Sequence, residues 1–269
     1  MRIGVIGFGT VGRAIANGLG DAHEIVIHDP SLDTRISDVT ENTEMAYICV
    51  PTPTDEISGA CDISIVKSVI EQMPDGFSVV IKSTVIPGTT QRLHDKYPNL
   101  KIACSPEFLR SRSAVTDFKN QEVLVVGTHH SDLADLVFEH HKLAHITKDG
   151  GFFHVSPTLA EIVKYAKNAF YATKVIFANQ FFDYCAEFGE DWDKVVEIIT
   201  RPQMQRIGES HLKAITGNNR GFGGKCLPKD TLALVTEMEA RGLEYDLLRS
   251  VLDDNGRLRK LPSSDTDRS

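Results

Sequence analysis

Short apolar runs separated by helical periodicities fill the first half of the chain. Runs at 2–6, 24–28, 45–50, 78–82, 101–104 and 122–126 read as strands, and Ala14, Ile15 and Leu19 begin the first helical stretch between them. Alternation of this kind predicts the α/β class with a Rossmann-type, doubly wound parallel sheet. Near residue 150 the pattern changes. From Ser156-Pro157 to Phe188 one helical segment runs on, with Leu159, Ile162, Val163, Ala166, Phe170, Phe177 and Phe181 at helical spacing. At 1.5 Å per residue it spans roughly 48 Å, which predicts a long spine helix. Further helices are expected at about 191–200 and 228–241, and polar sequence from Asp253 onward reads as a frayed tail. The expected organisation is a Rossmann domain over 1–155, an all-helical domain over 156–252 and a flexible tail over 253–269.

The first strand runs straight into chemistry. Gly7, Gly9 and Gly12 complete a G-x-G-x-x-G turn between Ile3–Ile6 and the first helical stretch, and Asp29 follows the second run about 20 residues on. Gly7 allows the tight turn, Gly9 lets a pyrophosphate touch backbone, and Gly12 lets helix and strand pack. Thr10 and Val11 open the helix whose N-terminus receives the phosphates. Asp29 suits a ribose hydroxyl and repels a 2′-phosphate, so NAD is expected over NADP, with His28 beside it softening the preference. Ligands of such sheets bind beyond the carboxyl ends of strands. Thr52 and Thr84 stand at two such ends and are placed to touch the cofactor, although each also fits an ordinary cap or turn hydroxyl.

Composition narrows the class of protein. The 269 residues suffice for a dinucleotide-binding domain and one smaller domain, and a formal charge of −8 argues against nucleic-acid or anionic-membrane partners. No apolar run approaches the ~20 residues of a membrane span, and the N-terminus lacks a signal-peptide pattern. The five cysteines, at 49, 61, 104, 185 and 226, show neither paired nor metal-like spacing, so no metal is expected and the setting is expected to be reducing and cytoplasmic.

Two features outside the sheet could carry a reaction. In Gly221-Phe-Gly-Gly-Lys-Cys-Leu-Pro-Lys-Asp230, Pro228 marks a helix start just after Cys226. A helix N-terminus and flanking cations, here Lys225 and Lys229, both lower a thiol's pKa. Asp230 follows one turn later, within reach of the same pocket. On the spine helix, Lys164 and Asn168 are four residues apart and share a face, where an ammonium and a carboxamide can hold an oxyanion. Each feature alone also has a plain structural reading: a buried cysteine after a loose loop, a solvated lysine beside a polar neighbour.

Taken together, the motifs resemble the UDP-glucose 6-dehydrogenase family of nucleotide-sugar dehydrogenases. Gly7-Phe-Gly-Thr-Val-Gly12, Val50-Pro-Thr-Pro53, Lys82-Ser-Thr-Val85, Ser105-Pro-Glu-Phe-Leu-Arg110, the Glu161/Lys164/Asn168 helix and the Cys226 loop occur in order between residue 1 and about 252. The resemblance implies two successive oxidations of a sugar primary alcohol with NAD, UDP-glucose to UDP-glucuronate first among the candidates, through a cysteine thiohemiacetal and thioester. It implies Cys226 as nucleophile, Lys164 and Asn168 as oxyanion cradle, Asp230 and Thr84 as orienting groups and Glu107 as the base for thioester hydrolysis. Lys229 would reach the cofactor. Glu107, Phe108, Leu109, Lys164, Asn168, Arg206, Phe222 and Gly223 would line the sugar site, and Arg206 would reach a neighbouring subunit in a homodimer built on the 157–188 helix.

Two departures stand out. Ser111 and Arg112 replace the glutamate and glycine that usually follow the Phe-Leu-Arg of this motif. The chain also stops near Leu248–Leu252, where the route to the family's third, UDP-binding domain begins, so part of the nucleotide-sugar site is expected to be missing. Two other readings remain. A β-hydroxyacid-type dehydrogenase also uses lysine and asparagine four apart but makes one hydride transfer and needs no cysteine. A truncated, non-catalytic module would bind only NAD or a partner.

Overall fold

In the computed structural model the apolar runs of the inner strands have both faces covered, which is why they lack the polar alternation of a half-solvated strand, whereas the outer run 24–28 is only half-buried. The structure describes residues 1–53, 61–147, 151–201, 215–216, 219–220, 222, 239, 242–243 and 246–260, with the backbone alone for 111, 169–180, 215–216 and 219–220. Strands β1 (Arg2–Ile6), β2 (Glu24–His28), β3 (Met45–Ile48), β4 (Ser78–Ile81), β5 (Lys101–Cys104), β6 (Leu124–Thr128) and β7 (Phe152–Val155) form one sheet in the order β2-β1-β3-β4-β5-β6-β7. The order reverses at β1, with β2 on one side and β3 on the other, the switch point at which such sheets bind ligands.

The period-two alternation of the strands sorts their side chains into two cores. Ile3, Val5, Tyr47, Val80 and Ala103 face helices α1 (Thr10–Leu19), α5 (Ala114–Lys119) and α6 (Ser131–Leu143) through Ile15, Leu19, Phe118, Leu133 and Val137. Ile6, Ala46, Ile48, Val79, Ile81 and Ile102 face the other way, onto α2 (Ile36–Thr40), α3 (Ser64–Ile70) and α4 (Thr89–Lys96) through Val39, Val66, Ile70 and Leu93.

Two expectations for the sheet are corrected. Its first five strands are parallel, but β6 runs antiparallel to β5, and β7 then pairs parallel with β6. The return to β6 passes through α5, which packs on α1, so no crossover back to the same end is made. Strand β7 was not foreseen.

Helix α7 spans Pro157–Glu187, 31 residues or roughly 46 Å, as the periodicity predicted. The chain divides into compact units at 1–168 and 169–269, later than the expected boundary at 155. The first turns of α7 belong to the sheet unit because Ala160 is buried against Cys104 and Val125. In the second unit, α8 (Trp192–Ile199) begins at an Asp191 cap that accepts the Asp193 N–H, and strands β8 (Ile215–Thr216) and β9 (Asn219–Arg220) pair antiparallel. Helix α9 (Asp246–Leu258) carries the chain past residue 253, so the onset of the expected tail is regular helix, closed by an ion pair between Arg257 and Asp254. The helix expected at 228–241 lies outside the described residues apart from the helical Glu239. No helix among the described residues is long and apolar enough to cross a membrane.

The core of the first unit holds three histidines. His140 and His141 are 0% and 1% exposed, His23 Nε2–H donates to the His140 carbonyl (3.1 Å), and neither ring nitrogen of His140 has a partner among the described residues. Burial pushes His140 down to about 4 and His141 down to about 3. Both rings are neutral in the fold, whereas the unfolded chain protonates them below about 6.5. Their contribution is therefore constant above 6.5 and is lost as pH falls from 6.5 toward 4, at up to about 1.4 kcal/mol per pH unit for each ring. Urea denaturation at pH 7, 5.5 and 4.5 should show this loss, and His140→Leu should remove about half of the slope. An unchanged slope in that variant would contradict the assignment.

Candidate active site

The turn from β1 into α1 is built by two glycines in contact. Gly7 has φ 95°, a left-handed conformation, and donates its N–H to His28 O at 2.8 Å. A Cβ on Gly12 would lie 2.0 Å from the Gly7 carbonyl oxygen, so the helix closes onto the turn only without a side chain there. Gly12→Ala should therefore cost about 1–3 kcal/mol and disrupt the turn, read as a lower urea midpoint together with lost NADH fluorescence binding. Binding at wild-type strength would show that the turn is not the phosphate site.

Gly9 is different. It caps α1 without a side-chain bond, and a Cβ there would meet nothing within 4 Å, so its face is open. The first turn of α1 carries no acidic residue, and its free N–H groups form an anion site. Asp29 holds the rim of this turn. Its Oδ2 accepts the Phe8 N–H at 2.7 Å, and its Oδ1 accepts the Ser31 hydroxyl at 2.6 Å and the Ser31 N–H at 2.9 Å. The Ser31 hydroxyl and the Phe8 amide hold its carboxyl down at about 2, so it is ionised throughout the physiological range. A carboxylate has lone pairs left over for a ribose hydroxyl.

A cleft of about 260 Å³ opens at the carboxyl ends of β1, β3, β4 and β5, lined by Gly9–Val11, Cys49–Thr52, Lys82–Thr84 and Glu107. Hydrogen bonds tie these strand ends together: Thr52 Oγ1 donates to Thr84 O at 2.7 Å and Ser83 Oγ to Val50 O at 2.7 Å. Two larger clefts, of about 410 and 470 Å³, lie at the opposite edge around Glu44 and Leu136. They meet the amino ends of the parallel strands, the wrong edge for a ligand of such a sheet.

Glu107 enters the cleft from the segment after β5 and meets Lys164, on the second turn of α7. Lys164 Nζ donates to Glu107 Oε1 at 2.6 Å and to Glu107 O at 2.8 Å, while Glu107 Oε2 accepts the Leu109 N–H at 2.6 Å. The two side chains are 8% and 16% exposed, so the pair is largely desolvated. Among the described residues Lys164 uses two of its three donors, both on Glu107. Phe108 packs against the small Cys104/Val125/Ala160 cluster and lies under the Lys167 ammonium, 4.5 Å from the ring centre, and Leu109 packs on the α1-side core. These two residues anchor the segment. Past it, Arg110 grips Asp117 with two side-chain bonds of 2.7 and 3.0 Å, and the short turn Ser111–Ser113 holds the residues that depart from the resemblance. That grip lowers the Asp117 pKa.

The structure thus brings together Gly9, Thr10, Val11, Thr52, Thr84 and Glu107 around the cleft, with Lys164 on Glu107. Asn168 lies one turn beyond Lys164 and is exposed. Phe222 lies in the second unit, where its N–H donates to Asn255 Oδ1 at 2.7 Å. Arg206, Gly223, Cys226, Lys229 and Asp230 lie outside the described residues. Sequence reasoning missed two residues. Glu161, 1% exposed and one turn before Lys164, accepts the N–H groups of Gly88 (2.5 Å) and Thr90 (2.7 Å), pinning the segment after Thr84 to α7. Lys82, 2% exposed, lies on the cleft floor. Their motif positions were visible, but their burial was not.

The site fits a dinucleotide: an open glycine face at a helix N-terminus, an ionised acid at the end of β2, and a cleft on the far side of the switch point. Two family models match in sequence, the NAD binding domain of the UDP-glucose/GDP-mannose dehydrogenase family over residues 30–144 and the central domain of the same family over 158–257. UDP-glucose 6-dehydrogenase of Haloferax volcanii is 30% identical over 95% of this chain and 69% of its own length. The chain belongs to the UDP-glucose/GDP-mannose dehydrogenase family. The family model names the cofactor, NAD, in agreement with the glycine turn and Asp29. UDP-glucose 6-dehydrogenase of Rickettsia felis is 34% identical over 80% of this chain and 48% of its own length, so the chain spans about half of such relatives. Family structures share the fold. A ternary complex of Pseudomonas aeruginosa GDP-mannose dehydrogenase superposes with a TM-score of 0.82 at 22% identity, over 96% of this chain and 69% of that one. A UDP-glucose dehydrogenase of Pyrobaculum islandicum superposes with 0.66 at 27% identity, over 95% and 68%.

Proposed function

We propose that this chain oxidises the primary alcohol of a nucleotide sugar to the acid in two NAD-dependent steps, with UDP-glucose as the substrate. The observation that carries the reading is the desolvated Glu107–Lys164 pair beside a dinucleotide cleft in a member of this family. NAD, when bound, supplies the hydride acceptor for each step. The remaining work falls to side chains. Cys226 adds through its thiolate to the aldehyde carbon, giving an alkoxide whose charge the third Lys164 N–H and the Asn168 amide stabilise. Loss of hydride from that adduct leaves a thioester. Glu107 takes a proton from water as it attacks, and Cys226 departs as thiolate. Asp230 and Thr84 orient the water. The sum consumes one alcohol, one water and two NAD and yields a carboxylate, two NADH and three protons. Assaying NADH production over UDP- and GDP-linked glucose, mannose and N-acetylated sugars tests the reading. Turnover fastest with UDP-glucose supports it, and no turnover with any of them removes it.

We also propose a homodimer through α7. Leu159, Ile162 and Phe182 on this helix are 46%, 45% and 59% exposed, apolar surface that a symmetric partner would cover. Light scattering at micromolar protein should return a dimer mass, and a monomer mass would contradict it. The cysteines among the described residues, Cys49, Cys61, Cys104 and Cys185, are all free thiols, which suits a reducing, cytoplasmic setting.

A further inference from the structure

The cleft floor carries one charge that its neighbours do not cancel. Lys82 follows β4, is 2% exposed, and donates from Nζ to a neutral partner, Ser105 Oγ, at 3.2 Å. Among the described residues no carboxylate lies within ion-pair distance of it. Glu107, the carboxylate of the same cleft, is held by Lys164 at 2.6 Å. The other groups facing Lys82 are Cys49 beyond β3, Cys104 on β5 and His141 on α6. Burial pushes both thiols up to about 12 and the imidazole down to about 3, so all three are neutral near pH 7. Glu107 is taken up by Lys164, and Glu161, the other buried carboxylate near Cys104, is taken up by the Gly88 and Thr90 N–H groups, so Lys82 has no carboxylate of its own.

The strand order says which part of the cofactor meets that charge. Asp29 ends β2, on one side of β1. Lys82 follows β4, on the other side, beyond β3. A dinucleotide with its pyrophosphate on the Gly9 turn and its adenosine ribose toward Asp29 sends its nicotinamide half across the β3 and β4 ends. The nicotinamide ring is cationic when oxidised and neutral when reduced. We infer that Lys82 sets the redox preference of the cofactor site: its buried, uncompensated ammonium disfavours the oxidised ring and makes the site hold NADH more tightly relative to NAD. A site with that bias pulls hydride transfer toward the oxidised sugar, the direction of the proposed reaction. Burial also draws Lys82 down to about 8, so the bias is present at pH 7 and fades by pH 9.

The inference rests on the NAD site and not on turnover, so it is tested by binding. NADH affinity is measured by fluorescence and NAD affinity by competition, at pH 7 and pH 9, for wild type, Lys82→Met and Lys82→Arg. At pH 7, Lys82→Met should lower the ratio Kd(NAD)/Kd(NADH) about tenfold. Lys82→Arg, charged at both pH values, should keep the ratio high at both. In wild type the ratio should fall between pH 7 and pH 9, and in Lys82→Met it should not. A purely structural role would weaken both forms alike, so an unchanged ratio in Lys82→Met overturns the inference. Should that variant fail to fold, a wild-type ratio that is flat from pH 7 to pH 9 overturns it instead. A protein that binds both forms as expected but makes no NADH from any sugar would remove the dehydrogenase reading and leave this one standing.

Discussion

Cys226→Ala is expected to abolish acid formation while leaving NAD binding intact. The variant keeps the Gly7–Gly12 turn, Asp29 and the Glu107–Lys164 pair, all in the first unit. What it would lose, in the proposed reaction, is the sulfur that turns a trigonal aldehyde into a tetrahedral alkoxide able to give up a second hydride. Overall kcat for acid should fall by roughly three orders of magnitude or more, with residual turnover stopping at the aldehyde or its hydrate. Mass spectrometry of the product, beside NADH titration of the same sample, checks both halves of this expectation. Iodoacetamide should inactivate the wild type, and bound UDP-glucose should protect it. Acid formed by Cys226→Ala at an undiminished rate would favour a different route to the second oxidation.

The second large effect concerns the Glu107–Lys164 pair. Its 2.6 Å contact is largely out of water, so removing one partner strands the other charge in a poorly solvated site. Lys164→Met and Glu107→Gln should each cost about 3 kcal/mol of stability. The double variant, with neither charge, should recover part of that loss, because neither member of the pair is left without its partner. Activity should not follow stability. In the proposed reaction Lys164→Met would remove the oxyanion donor and Glu107→Gln the base, so each is expected to lower kcat by about a hundredfold or more, with the double variant inactive. Urea midpoints and NADH production on the same three proteins separate the two effects. A double variant as unstable as the sum of the singles would mean that the pair is not electrostatically coupled.

The parts of this protein legible in its sequence are those whose physics is local. Ile3–Ile6 and Val79–Ile81 are buried on both faces, so each reads as a short apolar run. The glycine turn and Asp29 lie within one strand–helix–strand unit, so spacing alone places them. Strand β7 escaped because it is a four-residue edge strand with two exposed positions, Phe153 and His154, and its apolar run is only Phe152-Phe153. The extent of α9 was hidden by its composition: Asp253, Asp254 and Asn255 look like a tail, yet the two aspartates occupy the exposed side of a helix on which Leu252, Asn255 and Leu258 share the half-buried side. The Glu107–Lys164 contact joins residues 57 apart and no local pattern encodes it. Lys164 and Asn168 could be grouped by helical spacing, but that spacing says nothing of the carboxylate that takes up the ammonium. Lys82 looked like the polar end of a strand, and only the packing of β3, β5 and α6 around it makes it a buried charge.

The central claim is a double oxidation on one site, and its most direct test is the yield of NADH per UDP-glucose consumed, with NAD in excess and the product identified. The account predicts two NADH for each sugar and UDP-glucuronate as the product. One NADH for each sugar, with an aldehyde or ketone as the final product, would contradict it.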